Sequence, residues 1–243
     1  MGDDNNPSDR RVGADTDGDG LKDDLWGHGT HVAGIVDFVA PAAKIMPLRV
    51  LDTEGYGNVF AIAKAVSFAE RNGANVVNLS LGSPNRSRLL RNEIKRVSAI
   101  GVLVAAAGNS NSSVPRYPAA GNGVAASADG LVAVTSVDMY SRKSAFANYG
   151  GWVDVAAPGE AIRSPFPVGV YAYWSGTSMA TPFVSGQAAL IRAHLGSSLD
   201  AAGVEGKVRC TAQSLLFTDP IYAAMLGEGQ ADVGASLTPG VCS

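Results

Sequence analysis

Apolar and polar positions follow one another along this chain in two rhythms, and their succession predicts a layered architecture. Residues 1–25 are polar, acidic and rich in Gly, Asn and Asp, with no stretch fit for a buried strand, and read as loop. A helix is expected from about His28 to Val39, where Pro41 stops it, and a strand over 45–51 (IMPLRVL). Residues 58–71 place Val59, Ile62, Val66 and Ala69 at steps of three and four ahead of Gly73, the pattern of a helix with its stop signal. Strands follow over 75–81, Val102–Ala106, Leu131–Val137 and 152–156, with a helix over about 87–99 between the first two and a last long helix over about 179–195. Nearly continuous apolar strands separated by helices predict an α/β fold, a parallel sheet covered by helices on both faces in three layers. In such a sheet ligands bind at the C-terminal ends of the strands, so residues just after strands are the first candidates for chemistry.

Composition narrows the classes. The 243 residues fit one large domain, 46% are hydrophobic and 17% charged, and the net charge of −3 gives no basic footprint for nucleic acid. No apolar run approaches the ~20 residues of a membrane-spanning helix, and no signal peptide is visible after Met1. A monomer without a membrane or nucleic-acid partner is expected. The two cysteines, Cys210 and Cys242, fit either one disulfide tying down the C-terminus or two thiols.

Three strings carry candidate chemistry. In GTSMATPFVSGQAALI (176–191), Ser178 sits among small residues at a helix start, where partly positive amides gather and a carbonyl can approach its hydroxyl; read alone, the same serine is an ordinary helix cap. In GHGTHVAGI (27–35), His28 is flanked by glycines that leave its imidazole accessible, whereas His31 is followed by Val32, Ala33 and Ile35 and packs within the helix. Their spacing lacks the HExxH pattern and its glutamate, which argues against zinc. In VLVAAAGNS (102–110) a buried strand ends in small residues and presents Asn109, whose amide can donate to an oxyanion; alone, it reads as a Gly-Asn turn.

Taken in order, GHGTHVAG, NLSLG, AAAGN and GTSMATP resemble the subtilase family of subtilisin-like serine peptidases. The resemblance runs from about residue 27 to 238 and includes MPLRVLD, YPAA, VDVAAPG and GEGQADVGASL. It implies a subtilisin-like fold and peptide-bond hydrolysis through an acyl-enzyme, with His28 the general base, Ser178 the nucleophile, and Asn109 and the Ser178 N–H the oxyanion donors. It further implies that a peptide adds as a strand along Ser80, Leu81 and Gly82, opposite Gly55, Tyr56 and Gly57, with Gly108 lining the site. An extracellular or cell-surface location also follows from the resemblance. On this reading residues 1–25 are an acidic loop, 26–238 the catalytic domain and 239–243 a tail.

The family opens its domain with an apolar strand that ends in Asp, then Thr or Ser, then Gly. Only the polar stretch precedes His28, so the triad aspartate and its N-terminal strand are expected to be missing from this chain. Asp15 follows no apolar run, and the resemblance places Asp52 and Asp154 on other strands. Loss of the acid removes the group that fixes the imidazole tautomer and costs on the order of 10⁴-fold in rate, so a catalytically silent peptide-binding domain is the alternative reading. Asp15, Asp17 and Asp19 alternate ahead of Gly20 as in a calcium loop, and Asp23 or Asp24 can add an oxygen, but the twelfth position is Trp26 and not Glu. A structural calcium on Asp15, Asp17, Asp19 and Asp23 stands beside a solvated acidic loop, and a calcium-dependent structural domain is a third reading.

Overall fold

The structure, a computed structural model, describes residues 11, 13, 15, 18, 20–98, 101–121, 130–196, 199–238, 240 and 242. Four parallel strands form the central sheet in the order β1 (Val76–Leu79), β2 (Val102–Ala106), β3 (Leu131–Val137) and β4 (Val155–Pro158). Leu103 pairs with both Val77 and Leu131, and Val134 with Ala106 and Val155, so each strand is offset from the last in a regular stagger.

The side-chain period of two along β2 divides the core. Leu103 and Ala105 meet Ile62 and Val66 of helix α2 (Val59–Arg71) and Leu90 and Ile94 of α3 (Arg88–Val97). Val102 and Val104 face the other way, against Ala180, Val184 and Ile191 of α4 (Thr177–Leu195) and Val204 and Val208 of α5 (Ala201–Cys210). Both faces of the sheet are thus covered, giving the three layers expected from the continuous apolar runs. Local signals set the helix starts: Asn58, Ser87 and Asp200 each accept a backbone N–H of the first turn of α2, α3 and α5.

Helix α1 (His28–Val39) packs beside α4 because Gly186 lets the two approach; a Cβ there would stand 2.6 Å from that of Val39. An antiparallel ribbon, β5 (Ile162–Phe166) with β6 (Val170–Trp174), lies against α1 and leads into α4. The short helix α6 (Val233–Ser236) closes the described fold, and a disulfide joins Cys210 to Cys242 with Cα atoms 6.1 Å apart.

Several expectations are corrected. Residues 45–51 do not form a strand: only Leu51 bridges, to Gly57, and Ile45, Met46 and Leu48 are exposed. A strand exists through its ladder, and no described strand lies beside this segment to supply one. The last sheet strand begins at Val155 and not at residue 152, because Val153 N–H closes a turn on Gly150 O. The sequence reading does not foresee the β5–β6 ribbon; Pro165, Pro167 in the connecting turn and the exposed aromatics hide the alternation, and a two-stranded ribbon tolerates Pro165 because its edges lie outside the sheet. The third helix ends at Val97, and residue 99 lies outside the described set.

Candidate active site

Strand β2 ends at Ala106, and the next residues turn across the C-terminal edge of the sheet. Gly108, at φ +100°, makes that turn; a Cβ here would meet the amide of Asn148 at 2.6 Å. Asn148 is fully buried and organises the loop: its Nδ2 donates to Ala107 O, its Oδ1 accepts from Ser110 and Ser112 N–H, and its own N–H donates to Gly108 O. Every hydrogen-bonding group of that amide except one N–H is used, which locks the loop that carries Asn109.

Asn109 itself is exposed, yet its side chain is fixed. Thr177 donates to its Oδ1 both from the backbone N–H and from Oγ1, each at 2.9 Å. A backbone N–H can only donate, so the oxygen faces Thr177 and the Nδ2 must point away from it. A Cβ on Gly176 would stand 3.2 Å from that Nδ2, so the amide donor lies beside the turn that leads to Ser178.

Ser178 is the second residue of α4, half-buried, with its N–H among the helix-start amides that have no intrahelical acceptor. Its hydroxyl donates to Ser80 O at 3.4 Å, so nucleophile candidate and candidate peptide-binding strand meet directly. Residues 80–82 continue β1, the edge of the sheet, and Ser83 pairs with Tyr117 just beyond. Gly55, Tyr56 and Gly57 form a turn held by Asp52, whose Oδ1 accepts from Glu54 and Tyr56 N–H. No hydrogen bond joins that turn to 80–82 among the described residues.

His28 opens α1, half-buried, its ring 5.8 Å from that of Trp174. Trp174 stacks on His31 on its other contact, at 5.5 Å and 17°, and meets Phe166, which packs edge-on against Trp26. The start of α1 is therefore seated on the ribbon by an aromatic cluster, and Trp174, which contacts His28, lies four residues before Ser178 in the chain. His31 is fully buried as expected: its Nε2 lies 3.0 Å from Ile162 O and 3.2 Å from Ala172 O. Burial lowers its pKa below the ordinary imidazole value, and the two carbonyls oppose that shift.

The carboxylates set aside in the sequence hold other posts. Asp52 caps its own turn, and Asp154 accepts Ala133 N–H and lies beside Arg209. Asp15 takes Gly18 N–H at 2.6 Å and Gly20 N–H at 3.0 Å within the acidic loop. Asp23 is buried, with one oxygen accepting from Gly13 N–H and the other from Thr53 Oγ1. Asp17 and Asp19 lie outside the described residues. Among the described residues no three His, Cys, Asp or Glu side chains converge on a metal position. The cysteine alternative of two thiols is replaced by the disulfide.

Sequence reasoning missed Asn148, Trp174 and the role of Thr177. Thr177 lies in the Ser178 string, where local sequence marks only its small size; nothing local marks Asn148, whose side-chain partners lie some forty residues upstream.

Comparison with known proteins gives this geometry its context. The model described as "Subtilase family" matches residues 2–229. The chain is 44% identical over 179 residues to the thermophilic serine proteinase of Bacillus sp. (strain AK1), covering 69% of this chain and 43% of that protein. It is 40% identical over 208 residues to thermitase of Thermoactinomyces vulgaris, covering 81% and 71%. Among solved structures, proteases from Pseudoalteromonas arctica superpose with a TM-score of 0.76 at 31% identity, covering 86% of this chain and 70% of that one. A cold-adapted subtilisin-like serine proteinase gives 0.72 at 30%.

Proposed function

Because the chain belongs to the subtilase family, we propose that it is a serine endopeptidase with Ser178 as nucleophile, His28 as general base, and Asn109 Nδ2 with the Ser178 N–H as oxyanion donors. The observation that carries this reading is the fixed Asn109 amide, oxygen toward Thr177 and nitrogen beside the Ser178 turn. In the first step Ser178 Oγ attacks the scissile carbonyl carbon and its proton passes to His28. The carbonyl oxygen takes the negative charge, and a donor such as Asn109 stabilises it by about 3 kcal/mol. Collapse returns the proton to the leaving amine and leaves an acyl-Ser178, which water hydrolyses by the reverse sequence. The polypeptide substrate adds along Ser80, Leu81 and Gly82 at the open sheet edge, with Gly55, Tyr56 and Gly57 opposite and Gly108 lining the site.

The family's acid is assigned to none of Asp15, Asp52 or Asp154, whose carboxylates are engaged elsewhere. The test is labelling of the folded chain with a fluorophosphonate probe, comparing wild type with Ser178→Ala and His28→Ala. Labelling lost in both variants supports the peptidase; a folded wild type that takes no label, yet binds peptide, makes it a silent peptide-binding domain.

On the alternating Asp15, Asp17 and Asp19 with Asp23, we further propose a structural calcium in the acidic loop, remote from any step above. The two described members serve backbone amides and a hydroxyl, so they do not by themselves make a calcium shell. A rise in unfolding temperature on adding calcium, reversed by chelation, supports the ion; no change leaves a solvated acidic loop. Location outside the cell or at its surface belongs to the same proposal and is supported by the disulfide. No described helix is long and apolar enough to cross a membrane.

A further inference from the structure

Pro182 lies inside α4, four residues after Ser178. In an α-helix the N–H of residue i+4 bonds the carbonyl of residue i, and proline has no N–H. The carbonyl of the nucleophile's own residue therefore lacks its helical donor. Ser80 supplies one: its Oγ donates to Ser178 O at 2.8 Å from the neighbouring edge strand.

That hydroxyl is held in turn. Asn78 Nδ2 donates to Ser80 Oγ at 3.0 Å, and Asn78 Oδ1 accepts from Ser185 Oγ at 2.8 Å. Ser185, one turn past the proline, also reaches Thr181 O at 3.2 Å. The directions are mutually enforced. Ser80 has one hydroxyl proton, which goes to Ser178 O, so it must accept from Asn78, and the amide must then turn its oxygen to Ser185. The relay starts on α4, crosses β1 and returns to α4 at the nucleophile, and each bond polarises the next.

We propose that Asn78 and Ser80 are positioning residues that clamp the main chain of Ser178 in place of the hydrogen bond Pro182 removes. Their side chains act on the nucleophile through its carbonyl, and so fix the orientation of its N–H and Oγ against the sheet edge. The proposal rests on Ser178 being the nucleophile. It is separate from peptide pairing, which uses the main chain of residues 80–82 and not the Ser80 hydroxyl.

Asn78→Asp keeps the shape and removes the donor, so the Ser80 hydroxyl turns to the carboxylate and leaves Ser178 O. Asn78→Asp and Ser80→Ala should each lower the fluorophosphonate labelling rate about tenfold, the effect of one positioning hydrogen bond, with KM for peptide unchanged. The double variant should lose no more than either single one, and Ser80→Thr should retain the wild-type rate. Unchanged labelling in folded Asn78→Asp, or multiplicative losses in the double variant, overturns the clamp.

A stability cycle needs no activity. Pro182→Ala, or Pro182→Ser where alanine does not fold, restores an N–H for Ser178 O, so the fall in urea midpoint caused by Ser80→Ala should shrink in that background. An equal fall in both backgrounds overturns the clamp. If wild type takes no label at all, the peptidase reading fails, and this cycle alone decides whether the clamp exists.

Discussion

Thr177 gives two hydrogen bonds to one acceptor: its N–H and its hydroxyl both reach Asn109 Oδ1 at 2.9 Å. Its Oγ1 also receives Gly108 N–H at 3.0 Å, so one side chain joins the turn after β2 to the start of α4. The Asn109 amide is thus aimed by the residue next to Ser178. Asn109→Ala should lower kcat by about 10²–10³ with KM little changed, since the bond it loses forms chiefly in the transition state. Thr177→Val keeps one of the two bonds, and its kcat should fall by about tenfold. Steady-state kinetics on a peptide substrate check both; a rise in KM at constant kcat would instead place Asn109 in substrate binding.

Asn148 tests the loop behind that amide. Replacing it with alanine leaves the buried Ala107 O and the half-buried hydrogen bonds of Ser110 and Ser112 N–H without their partner. The expected loss is about 3 kcal/mol of stability, within the range for breaking a buried polar network, accompanied by reduced activity. Urea unfolding measures the first. A variant as stable as wild type would show that water replaces the side chain.

His31 predicts a pH dependence of stability. Its folded pKa lies below the unfolded value of about 6.5 because burial disfavours the cation. Between the two values the unfolded chain binds more protons than the native one, so stability rises with pH across that window. The native state should therefore be undiminished by this group above about pH 6.5 and weaken as the pH falls below it. His31→Gln, which still presents an N–H to the ribbon carbonyls, should flatten this step in urea midpoints measured from neutral to mildly acidic pH. A step of equal size in the variant would assign it to other groups.

The disulfide spans 32 residues between Cys210 and Cys242. Closing a loop of that length in the unfolded chain is worth about 3–4 kcal/mol in the loop-entropy account. Reduction, or Cys210→Ser with Cys242→Ser, should lower the urea midpoint accordingly while leaving labelling of Ser178 intact below the transition. Loss of labelling without unfolding would mean that the C-terminal tether supports the site itself.

The sequence by itself determined the layers and the chemistry-bearing strings. Helix α1 runs over the very residues expected, His28–Val39, because glycine and proline mark its ends, and β2 and β3 match because strands buried on both faces must be apolar throughout. The positions of His28, Asn109 and Ser178 were legible for a related reason: each sits where an element starts or stops, and short Gly-rich strings mark such points. What the chain order cannot carry is partnership. Residues 45–51 have every local mark of a strand and pair only at Leu51, because pairing depends on a neighbour that local sequence does not name. Trp174 meets His28 and His31 only when the ribbon folds back on α1, and Asn148 meets Ala107 only across the sheet edge. The clamp on Ser178 combines both kinds of information. Pro182 shows in the sequence that a carbonyl will lack its donor, and only the fold decides that Ser80, nearly a hundred residues earlier, lies within hydrogen-bond reach of it.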